Sequence, residues 1–221
     1  MQIGFLGNWL RVEDKLFDEV PNRIGKSSLK WSKYKNSDII PLWVADMDFR
    51  SPPPVIQLAG EISDDGNFGY GICPSALSEA VINRLNEFYH WSVEKNSILW
   101  LPGMVCGLNV ACRSLADEAT QVITNTPVYP PFLSSPGNSG LPCTRIPMIV
   151  CEGRFTIDFD ALHNLETSPN DLFMLCHPHN PVGTNFSRQE LENLSEYIIE
   201  KELFICCLLY TSPSPRDSWA S

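Results

Sequence analysis

The fold is decided by the stretch Leu172-Phe173-Met174-Leu175-Cys176-His177-Pro178-His179-Asn180-Pro181-Val182-Gly183-Thr184, followed by Asn185-Phe186-Ser187-Arg188-Gln189-Glu190-Leu191. Its first five residues form a near-continuous apolar run without alternation, the pattern of a strand covered on both faces. The next residues bring two prolines, an Asn-Pro dipeptide and a glycine, so the chain turns there. Ser187 and Glu190 have the spacing of a capping box, and Leu191, Leu194 and Ile198 then recur on one helical face. A further apolar run starts at Leu203 and continues to Cys206. Strand, loop, helix and strand in that order argue for parallel pairing.

The same alternation continues upstream. Gln121-Val122-Ile123-Thr124 reads as a strand, followed by the proline-rich loop Thr126-Pro127-Val128-Tyr129-Pro130-Pro131-Phe132. Thr144 to Val150 reads as another strand, and Asp158-Phe159-Asp160-Ala161-Leu162 starts a short helix. Pro74 opens a helix whose apolar face is Leu77, Val81, Leu85 and Phe88. Ile98-Leu99-Trp100-Leu101 reads as a short buried strand turned by Pro102-Gly103, after which Leu108, Ala111, Cys112 and Leu115 line a second helix. Residues 1–40 are polar and without a period, as in a loosely packed N-terminal arm; Ile39 to Phe49 is extended, and Ser51-Pro52-Pro53-Pro54 bars a helix across that point. The fold class is therefore α/β with a mainly parallel sheet. Residues 1–45 are expected to be an N-terminal arm and small-domain segment, 46–206 an incomplete large domain, and 207–221, rich in Ser and Pro, a flexible and foreign-looking tail. A sheet ending partway through the strand at Leu203 would leave a parallel edge open.

Composition narrows the function classes. The 221 residues carry 16 basic and 26 acidic side chains, a net charge of −10 with a pI near 4.8. That balance argues against sequence-independent nucleic-acid binding, which needs a basic face to displace phosphate counterions. No apolar run approaches the roughly 20 residues of a membrane-spanning helix. The first ten residues lack the basic and apolar regions of a secretion signal, so a cytoplasmic location is expected. The eight cysteines show no C-x-x-C pair and no histidines at zinc spacing, and most have apolar neighbours, which reads as buried reduced thiols.

Three places could carry chemistry. Leu101-Pro102-Gly103-Met104-Val105-Cys106-Gly107 joins strand to helix, and the free amides of a helix N-terminus can hold a phosphate. It is neither G-x-G-x-x-G nor a Walker loop, so a plain βα turn remains open. Asn180, in Asn180-Pro181-Val182-Gly183, would stand at the sheet's C-terminal edge, where ligands bind in α/β sheets, although the motif also suits a turn with no ligand. Tyr129, beyond another strand, could stack on a planar ligand or simply pack its loop. His177 and His179 form an H-x-H, but no third ligand is evident, so no metal site is expected.

Together a phosphate turn, an aromatic ring and an amide suit pyridoxal 5'-phosphate (PLP). With Phe17 to Arg23, Trp43-Val44-Ala45-Asp46-Met47-Asp48-Phe49, Phe68-Gly69-Tyr70-Gly71, Thr126 to Tyr129 and His179 to Gly183, the chain resembles the fold-type I PLP enzymes, the aminotransferase class I/II superfamily. It is most similar to their cystathionine β-lyase or C–S lyase branch, of the MalY/PatB type, over roughly residues 14–206. The resemblance implies a PLP-dependent transferase-like large domain. It puts Gly103, Met104 and Val105 at the phosphate, Tyr129 on the pyridine ring and Asn180 at the ring's 3′-oxygen. Tyr70 would reach the phosphate of a neighbouring subunit in a homodimer, and Ala45 would lie where the substrate carboxylate approaches. Asp46 and Asp48 are left as structural.

It also implies groups that this sequence does not show. An aspartate for the pyridinium nitrogen is expected just after the strand begun by Leu203, where Cys207 stands, and the Schiff-base lysine later still. The lysines here are Lys15, Lys26, Lys30, Lys33, Lys35, Lys95 and Lys201, and none stands at that place. The expectation is the N-terminal half of a lyase that cleaves a sulfur-containing amino acid to thiol, pyruvate and ammonia, this chain itself being inactive. The alternatives are a PLP-dependent aminotransferase, which shares Tyr129 and Asn180, and a non-enzymatic regulator built on the same fold.

Overall fold

The computed structural model describes residue 18 and residues 20–209. Met1 to Phe17, Glu19 and the tail from Tyr210 therefore lie outside the described residues, as do the expectations placed on them. The chain forms two compact units, Met1–Ile72 and Cys73–Ser221.

In the first unit, α1 (Leu29–Ser32) is capped by the Ser28 hydroxyl, and α2 spans Pro53–Asp65. The prolines that bar a helix from crossing this point instead begin one, because a helix's first positions have no N–H bond to lose. Gly66 ends α2 in the left-handed region at φ 63°. Asp46 and Asp48 act structurally. The Arg23 guanidinium bonds both Asp46 oxygens at 2.8 Å, and Asp48 accepts from Lys30 Nζ at 2.7 Å and Trp31 Nε1 at 2.8 Å. Lys30, 5% exposed, also donates to the Asp46 carbonyl at 2.7 Å. Arg23 holds the Asp46 carboxyl below its ordinary range, and Lys30 then Trp31 do the same for Asp48.

In the second unit, α3 (Ser75–Tyr89) and α4 (Met104–Ser114) precede β1 (Val122–Thr126), α5 (Pro131–Asn138) and β2 (Cys143–Pro147). A hairpin follows, β3 (Ile149–Cys151) with β4 (Arg154–Thr156), then α6 (Phe159–His163), β5 (Leu172–His177), α7 (Arg188–Glu200) and β6 (Phe204–Leu209). The main sheet has the order β2-β1-β5-β6, with every pairing parallel. Period-2 alternation divides its side chains between two cores. Ile123, Phe173 and Leu175 pack with Leu194, Tyr197 and Ile198 of α7 on one face. Val122, Leu172 and Met174 pack with Leu108 and Cys112 of α4 and Phe132 of α5 on the other. The fold is a mixed α/β sheet covered on both faces.

Four expectations are corrected. Ile98–Leu101 forms no strand; Leu99 is 83% exposed, and no described strand lies beside it to pair with. The strand expected from Thr144 to Val150 is broken at Met148, whose amide turns to the Thr126 carbonyl at 2.8 Å. The proline-rich loop contains α5, started by Pro130 and Pro131 and anchored by the buried Phe132. Finally, β6 runs through Cys207 and Leu208, paired to Leu175 and Cys176, so the strand continues to Leu209 past the expected break at 206. All eight cysteines are free, but only Cys112 and Cys176 are buried.

Candidate functional site

The chain leaves β1 for β2 on one side, and later β5 and β6 add to β1's other side. Strand order therefore reverses between β1 and β5, a topological switch point of the kind at which ligands bind in α/β sheets. Tyr129 lies three residues beyond the end of β1 and Asn180 three beyond the end of β5. Two of the residues singled out from sequence thus sit at the switch point of the sheet.

The helix N-terminus arrives at the same end. The C-terminus of α4 leads through Leu115 to Thr120 into the start of β1, so α4 runs back across the sheet and its first turn lies towards the C-terminal ends of the strands. Leu108 and Cys112 press it down, with Cys112 Sγ 3.8 Å from Met174 Sδ. Asn109 fixes the first turns against α5, donating to the Val105 carbonyl at 2.8 Å and to Ser135 Oγ at 3.1 Å. No side chain caps α4, whose first internal bond is Gly107 N–H to the Gly103 carbonyl. The amides of Met104 and Val105 are among those a helix cannot satisfy itself. A Cβ built on Gly103 meets nothing within 4 Å, and the extended backbone there suits any residue. The turn is open to an anion.

Tyr129 is half-buried and leans on the α4–α5 core, so its packing role is present whatever else it does. Asn180 is half-buried; its own amide donates to Cys176 Sγ at 3.4 Å, and its turn closes through Gly183 N–H to the His179 carbonyl at 2.7 Å. Gly183 has φ 70°, a conformation that costs glycine little. The Asn-Pro-x-Gly segment is thus a braced turn presenting one amide side chain. Burial pushes the Cys176 thiol up, and burial, then the neighbouring His179 ring, holds His177 down. On the other face of β1, Asn125 is 1% exposed with neither side-chain nitrogen nor oxygen partnered among the described residues.

An open helix N-terminus, a half-buried ring and a presented amide suit a flat heterocycle with a phosphate and a ring oxygen. They supply no acid–base pair of their own, and no group of three metal-ligating side chains occurs among the described residues. Ala45 and Tyr70 belong to the other unit, where both are exposed, Tyr70 completely. From sequence, His179 stands out only as one half of an H-x-H pair. Its ring is instead buried between carbonyl oxygens, which the H-x-H spacing does not signal.

Comparison with known proteins fits this architecture. The chain is 35% identical over 189 residues to cystathionine beta-lyase PatB of Bacillus subtilis, covering 83% of this chain and 49% of that one. The fold overlays on OvoB with a TM-score of 0.79 at 33% identity, covering 86% of this chain and 50% of the other. It overlays on a PLP-bound C-S lyase from Staphylococcus hominis with a TM-score of 0.76 at 26% identity, again covering 86% and 50%. The chain spans about half the length of the curated relatives it matches. The match to aminotransferase class I and II runs from residue 37 to residue 207, through the α4 turn and the β1/β5 switch point into β6, and it places this chain in that family.

Proposed function

We propose that this chain is the cofactor-holding half of a PLP-dependent carbon–sulfur β-lyase that acts on a cysteine conjugate such as cystathionine. The observation that carries the reading is the convergence at the β1/β5 switch point of the α4 N-terminus, the Tyr129 loop and the Asn180 turn. PLP, when bound, supplies an electron sink for the carbanion formed next to the amino group. In this reading the amides of Gly103, Met104 and Val105 take its phosphate, Tyr129 stacks on the ring, and Asn180 donates to the ring oxygen. None of them moves a proton; their work is binding and orientation. Likeness to proteins named cystathionine beta-lyase and C-S lyase supports the substrate class.

In the same reading the proton-transferring lysine and the partner of the ring nitrogen come from outside the described residues. Lys30, the most buried described lysine, is already tied to Asp46 and Asp48. Ala45 faces the substrate carboxylate, and Tyr70 completes the phosphate site of a second subunit in a cytoplasmic homodimer. The test is the longest polypeptide expressed from this gene, incubated with PLP and L-cystathionine without any 2-oxo acid. Release of pyruvate and thiol is expected. A strict requirement for a 2-oxo acid acceptor would move the assignment to an aminotransferase.

A further inference from the structure

We propose that His179 is a positioning residue: its buried ring ties the Asn180 turn to the loop carrying Tyr129 and so fixes the spacing of those two side chains. The inference rests on the cofactor reading for its purpose, and on geometry alone for the link. His179 is 2% exposed. Its Nε2 lies 2.8 Å from the carbonyl of Pro127, two residues before Tyr129, and its Nδ1 lies 3.1 Å from the carbonyl of Cys176 in β5. The backbone of the same residue closes the Asn180 turn, with its N–H on the Thr184 carbonyl at 2.8 Å and its carbonyl accepting from Gly183 at 2.7 Å. Phe186, itself 5% exposed, meets the ring edge-on at 5.8 Å and walls off water.

One residue thus holds the turn by its backbone and grips the neighbouring loop by its side chain. A carbonyl oxygen only accepts, so the Nε2 contact holds as a hydrogen bond with Nε2–H donating to Pro127. Both nitrogens face carbonyl oxygens, which leaves neither aimed at an open ligand position. Side chains that touch a ligand from two separate loops lose affinity when either loop drifts, because placement within about an ångström decides the contact.

The test compares His179→Gln and His179→Asn in the full chain. Glutamine carries its amide nitrogen out to the position of Nε2 and can still reach Pro127; asparagine ends at the depth of Nδ1 and cannot. Amide hydrogen exchange is read at Phe132 and Leu133, bonded to the Tyr129 and Pro130 carbonyls, and at Gly183 in the turn. Loss of one buried hydrogen bond is expected to speed exchange at all three about tenfold in His179→Asn, with β5 unchanged and His179→Gln close to the parent. Unchanged exchange at Phe132 and Leu133, or equal acceleration in both variants, overturns the link. Should His179→Asn not fold, nitrogen NMR of the parent decides: a protonated, exchange-protected Nε2 supports the link and a bare Nε2 overturns it. Equilibrium dialysis with PLP then reads the purpose, an affinity about tenfold weaker in His179→Asn and within about twofold of the parent in His179→Gln. Faster exchange with unaltered PLP affinity overturns the positioning role. A parent chain that binds no PLP removes the cofactor reading, while the exchange pattern still decides the link.

Discussion

Replacing Glu190 by glutamine removes one charge from the joint between α7 and β4. Glu190 is 9% exposed, and its carboxylate accepts from Ser187 N–H at 2.6 Å, Arg154 Nη2 at 3.0 Å and the Thr156 hydroxyl. Ser187 returns a bond to the Glu190 amide, completing the capping box foreseen from sequence. Burial pushes this carboxyl up, but the Thr156 hydroxyl, Ser187 and Arg154 outweigh it and bring the pKa from 4.5 to about 2. A group whose pKa is lower folded than unfolded stabilises the fold above its unfolded value and loses that contribution as pH falls through its folded value. At 1.36 kcal/mol for each tenfold change, the charge is worth about 3 kcal/mol at pH 7. Glutamine keeps the size and one acceptor, so Glu190→Gln should cost about 2 to 3 kcal/mol at pH 7. The gap should close steadily between about pH 5 and pH 2. Urea unfolding followed by far-ultraviolet circular dichroism measures both variants across that range. A cost below about 0.5 kcal/mol, or one that stays the same from pH 7 to pH 3, would mean that the Glu190 charge does not stabilise this joint.

Asp171, fully buried at the start of β5, accepts from Thr120 N–H and Oγ1 at 2.8 Å, Ser168 N–H at 2.9 Å, Gln121 Nε2 at 3.0 Å and Gln121 N–H at 3.1 Å. Burial raises its pKa, but these donors leave it below the ordinary value, so Asp171→Ala should cost about 3 kcal/mol near neutrality and less in acid, as urea titrations at the two pH values will show. Phe173→Ala empties the centre of one core from a strand that has neighbours on both sides; calorimetry should find about 3 to 5 kcal/mol lost. Ellman's reagent at pH 8 should react quickly with exposed Cys73, Cys106 and Cys151 in the native chain, while Cys112, buried and pushed up to about 11, waits for urea.

The parts of the fold legible in the sequence are those where one local rule acts alone. The apolar run at Leu172 has the pattern of a strand covered on both sides, and Ser187 to Glu190 has the spacing that opens a helix. Elements that depend on partners far along the chain were harder to read. Ile98–Leu101 has the composition of a strand but no described strand beside it, and composition does not reveal a missing neighbour. The β3–β4 hairpin went unread because its turn is Glu152-Gly153, at φ 52° and 77°, and not the Asn-Gly or Asp-Gly pair that announces such turns. Prolines read as a helix boundary before α2 and as a loop before α5; at both places they also start the helix that follows. At the site, Tyr129 and Asn180 were legible because the strands before them fix which edge they reach. His179 was visible as a residue, but its role depends on the Pro127 carbonyl 52 positions away.

In the proposed function the α4 turn, Tyr129 and Asn180 together hold PLP. Phosphorus NMR of PLP titrated into the 221-residue chain tests it directly, because it watches the phosphate that the Gly103–Val105 turn is said to bind. The prediction is a saturable, one-per-chain shift of the phosphate signal, weakened about tenfold by Tyr129→Ala or by Asn180→Ala while circular dichroism stays unchanged. A phosphate signal that never saturates, or saturates equally in the parent and both variants, would contradict it.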